Sequence, residues 1–353
     1  MMNRRGFLGI AAVGPMLPRL ELSRRVPTIQ DVQRVARDTP FWLEASGTPG
    51  LSATLVADGR IRETLSFGND APTTGKDAPE TAKPITENTI FQAASLSKQA
   101  MLLIALKTVD AGKLDLDKPL VSYLDKSPLE PETGVGQITA RHVLTHTTGW
   151  PNWPPNDGPF RPVRPLGTWG YSGAGFMLLM EALQSIHGES PVDYTRRLLL
   201  DPLGMTASSF VWRPEYATTA TRGVNGDGSV ANAWQPDRPN GASSLHTTSR
   251  EYARLLEAFL ETDLMRKHPE VYRQQVAINS RLGWSLGWGT SRGVLWQWGH
   301  SDGFKTFVAL DPERRRAIVC LCNGEKGQRI NREWVNGWLK RDLDAFYFRW
   351  VDL

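Results

Sequence analysis

The stretch AASLSKQAM, residues 93–101, places Ser95 and Lys98 three positions apart. On a helix the two share one face about a turn apart, with the ammonium within reach of the hydroxyl. A serine at a helix start also lies among backbone N–H groups that lack intrahelical acceptors, donors suited to a developing oxyanion. A lysine buried beside it has its pKa lowered by desolvation and can take or relay the serine proton. The competing reading is a capping serine with a solvated lysine, and the apolar flanks of the pair speak against solvation. An S-x-x-K spacing also arises by chance, so its placement has to carry the chemistry.

Other residues offer weaker chemistry. GYSGAG, residues 170–175, resembles a degraded G-x-S-x-G turn with Ser172 as nucleophile and His300 as base, which requires an apolar strand leading into it. The preceding RPVRPLGT contains Pro162 and Pro165 and cannot be a central strand. His142 and His146 stand four apart on a predicted helix, a metal-ligand spacing, but no glutamate accompanies them as in H-E-x-x-H. His187, His246 and His268 carry no signal beyond packing or surface roles. No metal or organic cofactor is expected.

The elements that must position these residues are legible in outline. Residues 29–37 read as a short helix, and SATLVADGRIRETLSFG as two strands around an Asp58-Gly59 turn. Residues 69–84 are a polar loop. Ser95 to Ala111 has helical spacing in Met101, Leu102, Ala105, Leu106 and Val109, ended by Gly112. Further helices are expected at 139–146, 174–187, 191–200 and 248–262, around an irregular Pro/Trp-rich segment at 150–169. GVLWQWGH, FKTFVAL and AIVCLCN then read as strands, the last two joined by DPERR, before a final helix from about Asn331 to Trp350. Strands at both ends with helices between predict an α/β (α+β) fold: an antiparallel sheet flanked by helices, built from both chain ends, with a mainly helical inserted subdomain. The expected division is residues 28–113 plus 249–353 for the sheet domain and 114–248 for the helical subdomain.

Composition narrows the function classes. The 353 residues carry 41 basic and 37 acidic side chains, dispersed rather than striped, which gives nucleic-acid binding little support. No apolar run approaches the roughly 20 residues of a membrane span. Arg4 and Arg5 precede Phe7, Leu8 and a weakly apolar Gly/Ala segment, so residues 1–25 read as a twin-arginine export signal, placing the protein in the periplasm or outside the cell. The alternative is a disordered basic tail on a cytoplasmic protein. Cys320 and Cys322, two apart in an apolar run, are poorly placed for a disulfide and read as buried thiols.

FQAASLSKQ, ITARHVLTHTTGW, WGYSGAGFMLLMEAL, DPLGMTASSF, GASSLHTTSREYARLLEAFL, GWSLGWG and WGHSDGFKTFVALDPERR occur in the order and approximate spacing of the serine β-lactamase superfamily. Over about residues 30–345 the chain resembles its class C branch, which includes class C β-lactamases, D-amino-acid peptidases and β-lactamase-like esterases. The resemblance implies Ser95 as nucleophile, Lys98 as its proton partner, Tyr171 in place of the Y-x-N tyrosine, and His300 in place of the Lys or His of the K-T-G or H-x-G strand motif, with Ser301 at its centre. It implies an oxyanion hole from Ser95 and the Gly303 N–H or that of a neighbour in the strand. Two departures stand out. Gly173 replaces the Y-x-N asparagine that contacts acylamido groups, and Asp302 replaces a glycine, adding a carboxylate beside the strand. Asp302 means either a register shifted by one or disfavoured anionic substrates, while His300 rather than lysine, with no asparagine at 173, favours an esterase or small amide or peptide hydrolase, acting on a small-molecule ester, amide or peptide, over a β-lactamase or D-amino-acid peptidase. Trp150, Trp153 and Trp169 are candidates for an apolar wall of the cleft. A non-catalytic binding protein on the same scaffold is the alternative of a different class; oligomeric state is not legible.

Overall fold

The computed structural model describes residues 29–348 apart from 74–78, 80, 127–128 and 158–159. The Arg4-Arg5 pattern and the expected signal or tail lie outside the described residues. Helix α1 (Gln33–Ser46) runs nine residues beyond the expected 29–37 segment and closes at Gly47, whose φ of 68° is the left-handed conformation of a helix C-terminus. Strands β1 (Gly50–Ala57) and β2 (Arg60–Gly68) form the expected hairpin. Asp58 and Gly59 both have positive φ, 53° and 71°, as a two-residue turn matched to strand twist requires.

A short strand β3 (Phe91–Gln92) leads through a tight turn at Ala94–Leu96 into α2 (Ser97–Asp110). Then follow α3 (Ala140–Leu144), α4 (Ala174–His187), α5 (Pro191–Thr195) and α6 (Tyr216–Thr219), separated by long connections. After β4 (His246–Thr247) come α7 (Ser249–Phe259) and α8 (Thr262–Lys267). The chain then returns as β5 (Val276–Ala277), β6 (Gly283–Trp284), β7 (Gly289–Ser291), β8 (Val294–Ser301), β9 (Phe304–Asp311) and β10 (Arg316–Cys322), and α9 (Gln328–Leu339) packs back on them. The sheet order β2-β1-β10-β9-β8-β7-β6-β5 sets the N-terminal hairpin beside the last strand, so both chain ends build one antiparallel sheet.

The pleat sorts alternate residues into two apolar layers. On β10, Ala317, Val319 and Leu321 join the layer of α2, α4 and α7, while Ile318, Cys320 and Cys322 join α1 and α9. Both cysteines are buried free thiols on the latter face. Helix α2 is apolar almost all round because the sheet layer covers one side and α4 the other. Its burial anchors the turn that precedes it.

The final helix is shorter than the expected 331–350 span. It ends at Leu339, where Lys340 turns left-handed at φ 54°. Ser291 and Arg292 hold the Asp344 carboxylate, which ties residues 344–347 into a separate short turn. Leu343 and Phe346 reach the same apolar layer as Trp338 from that turn, so their spacing mimics a helical stripe without a continuous helix.

Candidate active site

The Ala94–Leu96 turn carries Ser95 immediately before α2. Ala94 adopts φ 49°, unusual for a residue with a Cβ, and the local backbone hydrogen bonds begin only at Leu96 N–H to Ala93 O, so the Ser95 N–H lies in an unpaired first turn. Lys98 sits one turn on. Its Nζ donates to Ser95 Oγ at 3.0 Å and to the Ala242 carbonyl at 2.8 Å, and the side chain is fully buried. Burial lowers its pKa from the ordinary 10.5 to about 7.

Tyr171 enters from the segment before α4. The Lys98 Nζ lies 4.8 Å from its ring centroid, and its phenol hydrogen-bonds to the Ser95 side chain. Burial drives the phenol pKa well above its usual value, and the bonds to Ser95 and Gln297 only partly offset this, so the phenol stays protonated. The ring is fixed between His146 at 4.2 Å and Trp298 at 4.8 Å between centroids. Burial, with the Lys98 charge adding to it, holds His146 well below its ordinary pKa, so that ring packs as a neutral group.

Strand β8 supplies the opposite wall, with a residue not expected from the sequence. Gln297 is fully buried, and its Nε2 donates to the Tyr171 hydroxyl at 3.0 Å and to the Ser95 carbonyl at 3.3 Å. Gly299 passes over the serine turn so closely that a Cβ there would lie 2.5 Å from Ala93 O. Beyond Trp296, β8 pairs only with β9, leaving its other edge open. The two-residue turn at Asp302-Gly303 makes Ser301 and Phe304 a hydrogen-bonded pair, so backbone groups of alternate residues, Trp298 and His300, point to that open edge.

This register corrects the placement of several expected site residues. The side chains of Gln297, Gly299 and Ser301 share the face toward Ser95; that of His300 lies on the other, its Nε2 3.4 Å from Glu325 Oε1. Of His300, the backbone and not the ring addresses the cleft edge. Ser301 Oγ donates to Gln92 Oε1 at 3.0 Å. Gly303 lies at the hairpin tip against Gly223, and its N–H is bound by the Glu325 carboxylate, which removes it as an oxyanion donor. Burial alone would raise Glu325; bonds from the Gly226 N–H, His300 and the Gly303 N–H outweigh that and hold it below the usual range. Asp302 is exposed in the turn at the same tip, past the end of β8, rather than on the strand edge.

The tryptophans separate. Trp150 is buried, with Nε1 donating to Thr133 O at 2.7 Å, and does not line the cleft. Trp169 packs against Trp284 and Phe348 behind Tyr171. Trp153 alone borders the site, covering Gly173 so closely that a Cβ there would lie 2.8 Å from its ring. Ser172 is buried and bonded to the Pro151 carbonyl, and its N–H is accepted by His146 Nδ1, a structural role at the α4 entrance. His142 caps α3 through Thr139. Among the described residues no group of three potential ligands could hold a metal ion.

The sequence profile of the family described as Beta-lactamase matches residues 32–339. The chain is 23% identical over 313 residues to the D-alanyl-D-alanine-carboxypeptidase/endopeptidase AmpH of Escherichia coli, covering 76% of this chain and 78% of that protein. It is 35% identical over 74 residues to the esterase EstB of Burkholderia gladioli, 20% of this chain and 18% of that one. The fold superimposes on the D-alanine carboxypeptidase AmpC from Burkholderia cenocepacia with a TM-score of 0.71 at 20% identity, covering 88% of this chain and 99% of that one.

Proposed function

The chain belongs to the Beta-lactamase family, and from that premise we propose that it is a serine hydrolase working through a Ser95 acyl-enzyme, on a small ester in the first instance and on a small amide or peptide in the second. The observation that carries this reading is the buried Lys98 amine, poised at a pKa of about 7 and 3.0 Å from Ser95 Oγ. Near neutral pH a substantial fraction of that amine is unprotonated and accepts the serine proton as Oγ attacks the substrate carbonyl. The Ser95 and His300 N–H groups stabilise the resulting oxyanion. The intermediate then collapses: the bond to the leaving group breaks, Tyr171 gives that group its proton, and the Lys98 ammonium restores the proton to Tyr171. Water, deprotonated by the same pair, attacks the acyl-serine and releases the acid.

The preference for esters rests on Gly173 and Trp153: the indole fills the room beside Tyr171 that the asparagine side chain would occupy, replacing an amide-recognising group with an apolar surface. The kinship to a carboxypeptidase over most of the chain favours the D-amino-acid peptidase as the second reading. Intact-mass spectrometry with a short-chain activated ester, and separately with a penicillin, distinguishes these. Transient acylation by the ester, mapped to Ser95 and lost in Ser95→Ala, supports the esterase. A stable or turned-over penicillin adduct moves the protein to the peptidase and lactamase side, and no adduct with either leaves the non-catalytic binding protein.

A further inference from the structure

Gln297 spends both amide hydrogens inside the site, one on the Tyr171 hydroxyl at 3.0 Å and one on the Ser95 carbonyl at 3.3 Å. Because the Ser95 carbonyl can only accept, the orientation of the amide is fixed by its partners, and Oε1 is left buried without one. The donor to Tyr171 occupies a lone pair of the phenol oxygen, so the phenol's own hydrogen is directed away from β8, toward Ser95. The same side chain therefore sets the proton donor and the nucleophile's backbone on one strand. It does so without charge. The titratable groups facing Lys98 are Tyr171 and His146, both neutral here, alongside Ser95, the Phe176 ring and the Ala242 carbonyl. Lys98 is moved by burial, with no charged neighbour contributing among the described residues.

We propose that Gln297 is a positioning and specificity residue of this site, an uncharged clamp that orients the Tyr171 proton toward the reacting oxygen and confines the enzyme to substrates with no carboxylate near the scissile carbonyl. The proposal rests on the serine-hydrolase reading. A carboxylate brought against Ser95, Tyr171 and Gln297 would lose its hydration, and the one ammonium in contact with these residues among the described ones, Lys98, must be neutral to act as base. A neutral ester carries no such penalty.

The test uses Gln297→Glu, nearly isosteric, and Gln297→Lys, with Gln297→Leu as the uncharged variant that cannot donate. Acylation of Ser95 is followed by stopped flow and intact mass over pH 5–9, with a neutral activated ester and its carboxylate-bearing analogue. A negative charge beside Tyr171 raises the Lys98 pKa and a positive one lowers it, so the acidic limb should move by about one pH unit or more upward in Gln297→Glu and downward in Gln297→Lys. Gln297→Leu should lose about 10-fold to 100-fold in acylation rate with the limb unmoved, the effect of two lost hydrogen bonds. Gln297→Lys should narrow the neutral-over-anionic preference at least 10-fold. If the three variants lose rate alike, with limbs fixed and the preference unchanged while thermal unfolding shows them folded, Gln297 is only structural and the proposal falls. Absence of acylation in the wild type instead defeats the serine-hydrolase reading, and this proposal with it.

Discussion

Replacing Lys98 by methionine should change the pH dependence of stability in a way that reports the pKa on which the proposed catalysis depends. Moving the lysine from 10.5 to about 7 by burial amounts to a penalty of about 5 kcal/mol on the charged folded state. Below pH 7 the amine is protonated whether the chain is folded or unfolded, and the folded protein bears the whole penalty. Between pH 7 and 10.5 the unfolded chain keeps a proton that the folded chain has released, so stability rises with pH, and above 10.5 the penalty is gone. Methionine removes this dependence along with the amine's bonds to Ser95 and Ala242, each worth about 1 kcal/mol. The wild type should therefore gain on Lys98→Met by about 2 kcal/mol between pH 7 and pH 9, whatever the offset between them. Urea unfolding of both proteins at the two pH values measures this difference, and groups common to both cancel. The wild-type acylation rate should show an acidic limb with its midpoint near 7, and Lys98→Met should lose about 10²-fold to 10⁴-fold in rate. Parallel stability curves, with the gap unchanged from pH 7 to 9, would refute the reasoning: Lys98 would then keep an ordinary pKa and could not serve as the base at neutral pH.

Three further outcomes follow from the geometry. Tyr171→Phe should lose about 10²-fold or more in acylation by alkyl esters but about tenfold or less with nitrophenyl esters, whose leaving group departs without a proton; equal losses would remove Tyr171 as the donor. His300→Ala should keep acylation within about threefold of the wild type, because the peptide N–H rather than the imidazole meets the cleft, and steady-state kinetics on one ester suffices to check it. Gly173→Asn should raise KM for bulky acyl esters about tenfold, since the new Cβ collides with Trp153, while adding Trp153→Ala to it should relieve the collision and raise the anilide-to-ester ratio of kcat/KM. An unchanged ratio in the double variant would separate Gly173 from substrate choice.

Much of the scaffold was legible because its signals are local. The Asp58-Gly59 pair specifies a hairpin turn through its own backbone preference, and the apolar spacing of Met101 to Val109 specifies a buried helix. The final helix was overextended for an instructive reason: Leu343 and Phe346 sit in register with Trp338 and Leu339, but a left-handed Lys340 and the grip of Ser291 and Arg292 on Asp344 break the backbone between them. Apolar spacing records which residues reach the core, not whether one helix carries them there.

By itself the sequence determined the serine and lysine pair, since a three-residue spacing on a helix fixes their separation, and through motif order it determined the kinship and Tyr171. Tertiary structure alone decided which residue of β8 faces them. A strand turns each successive side chain to the opposite face, so the hairpin at Asp302-Gly303 and the pairing with β9 put Gln297 against Ser95 and turn the His300 ring toward Glu325. Burial of Lys98, which lowers its pKa to about 7, was suggested by the apolar flanks but completed by the layers that close over α2, because full removal of water takes contacts from distant parts of the chain.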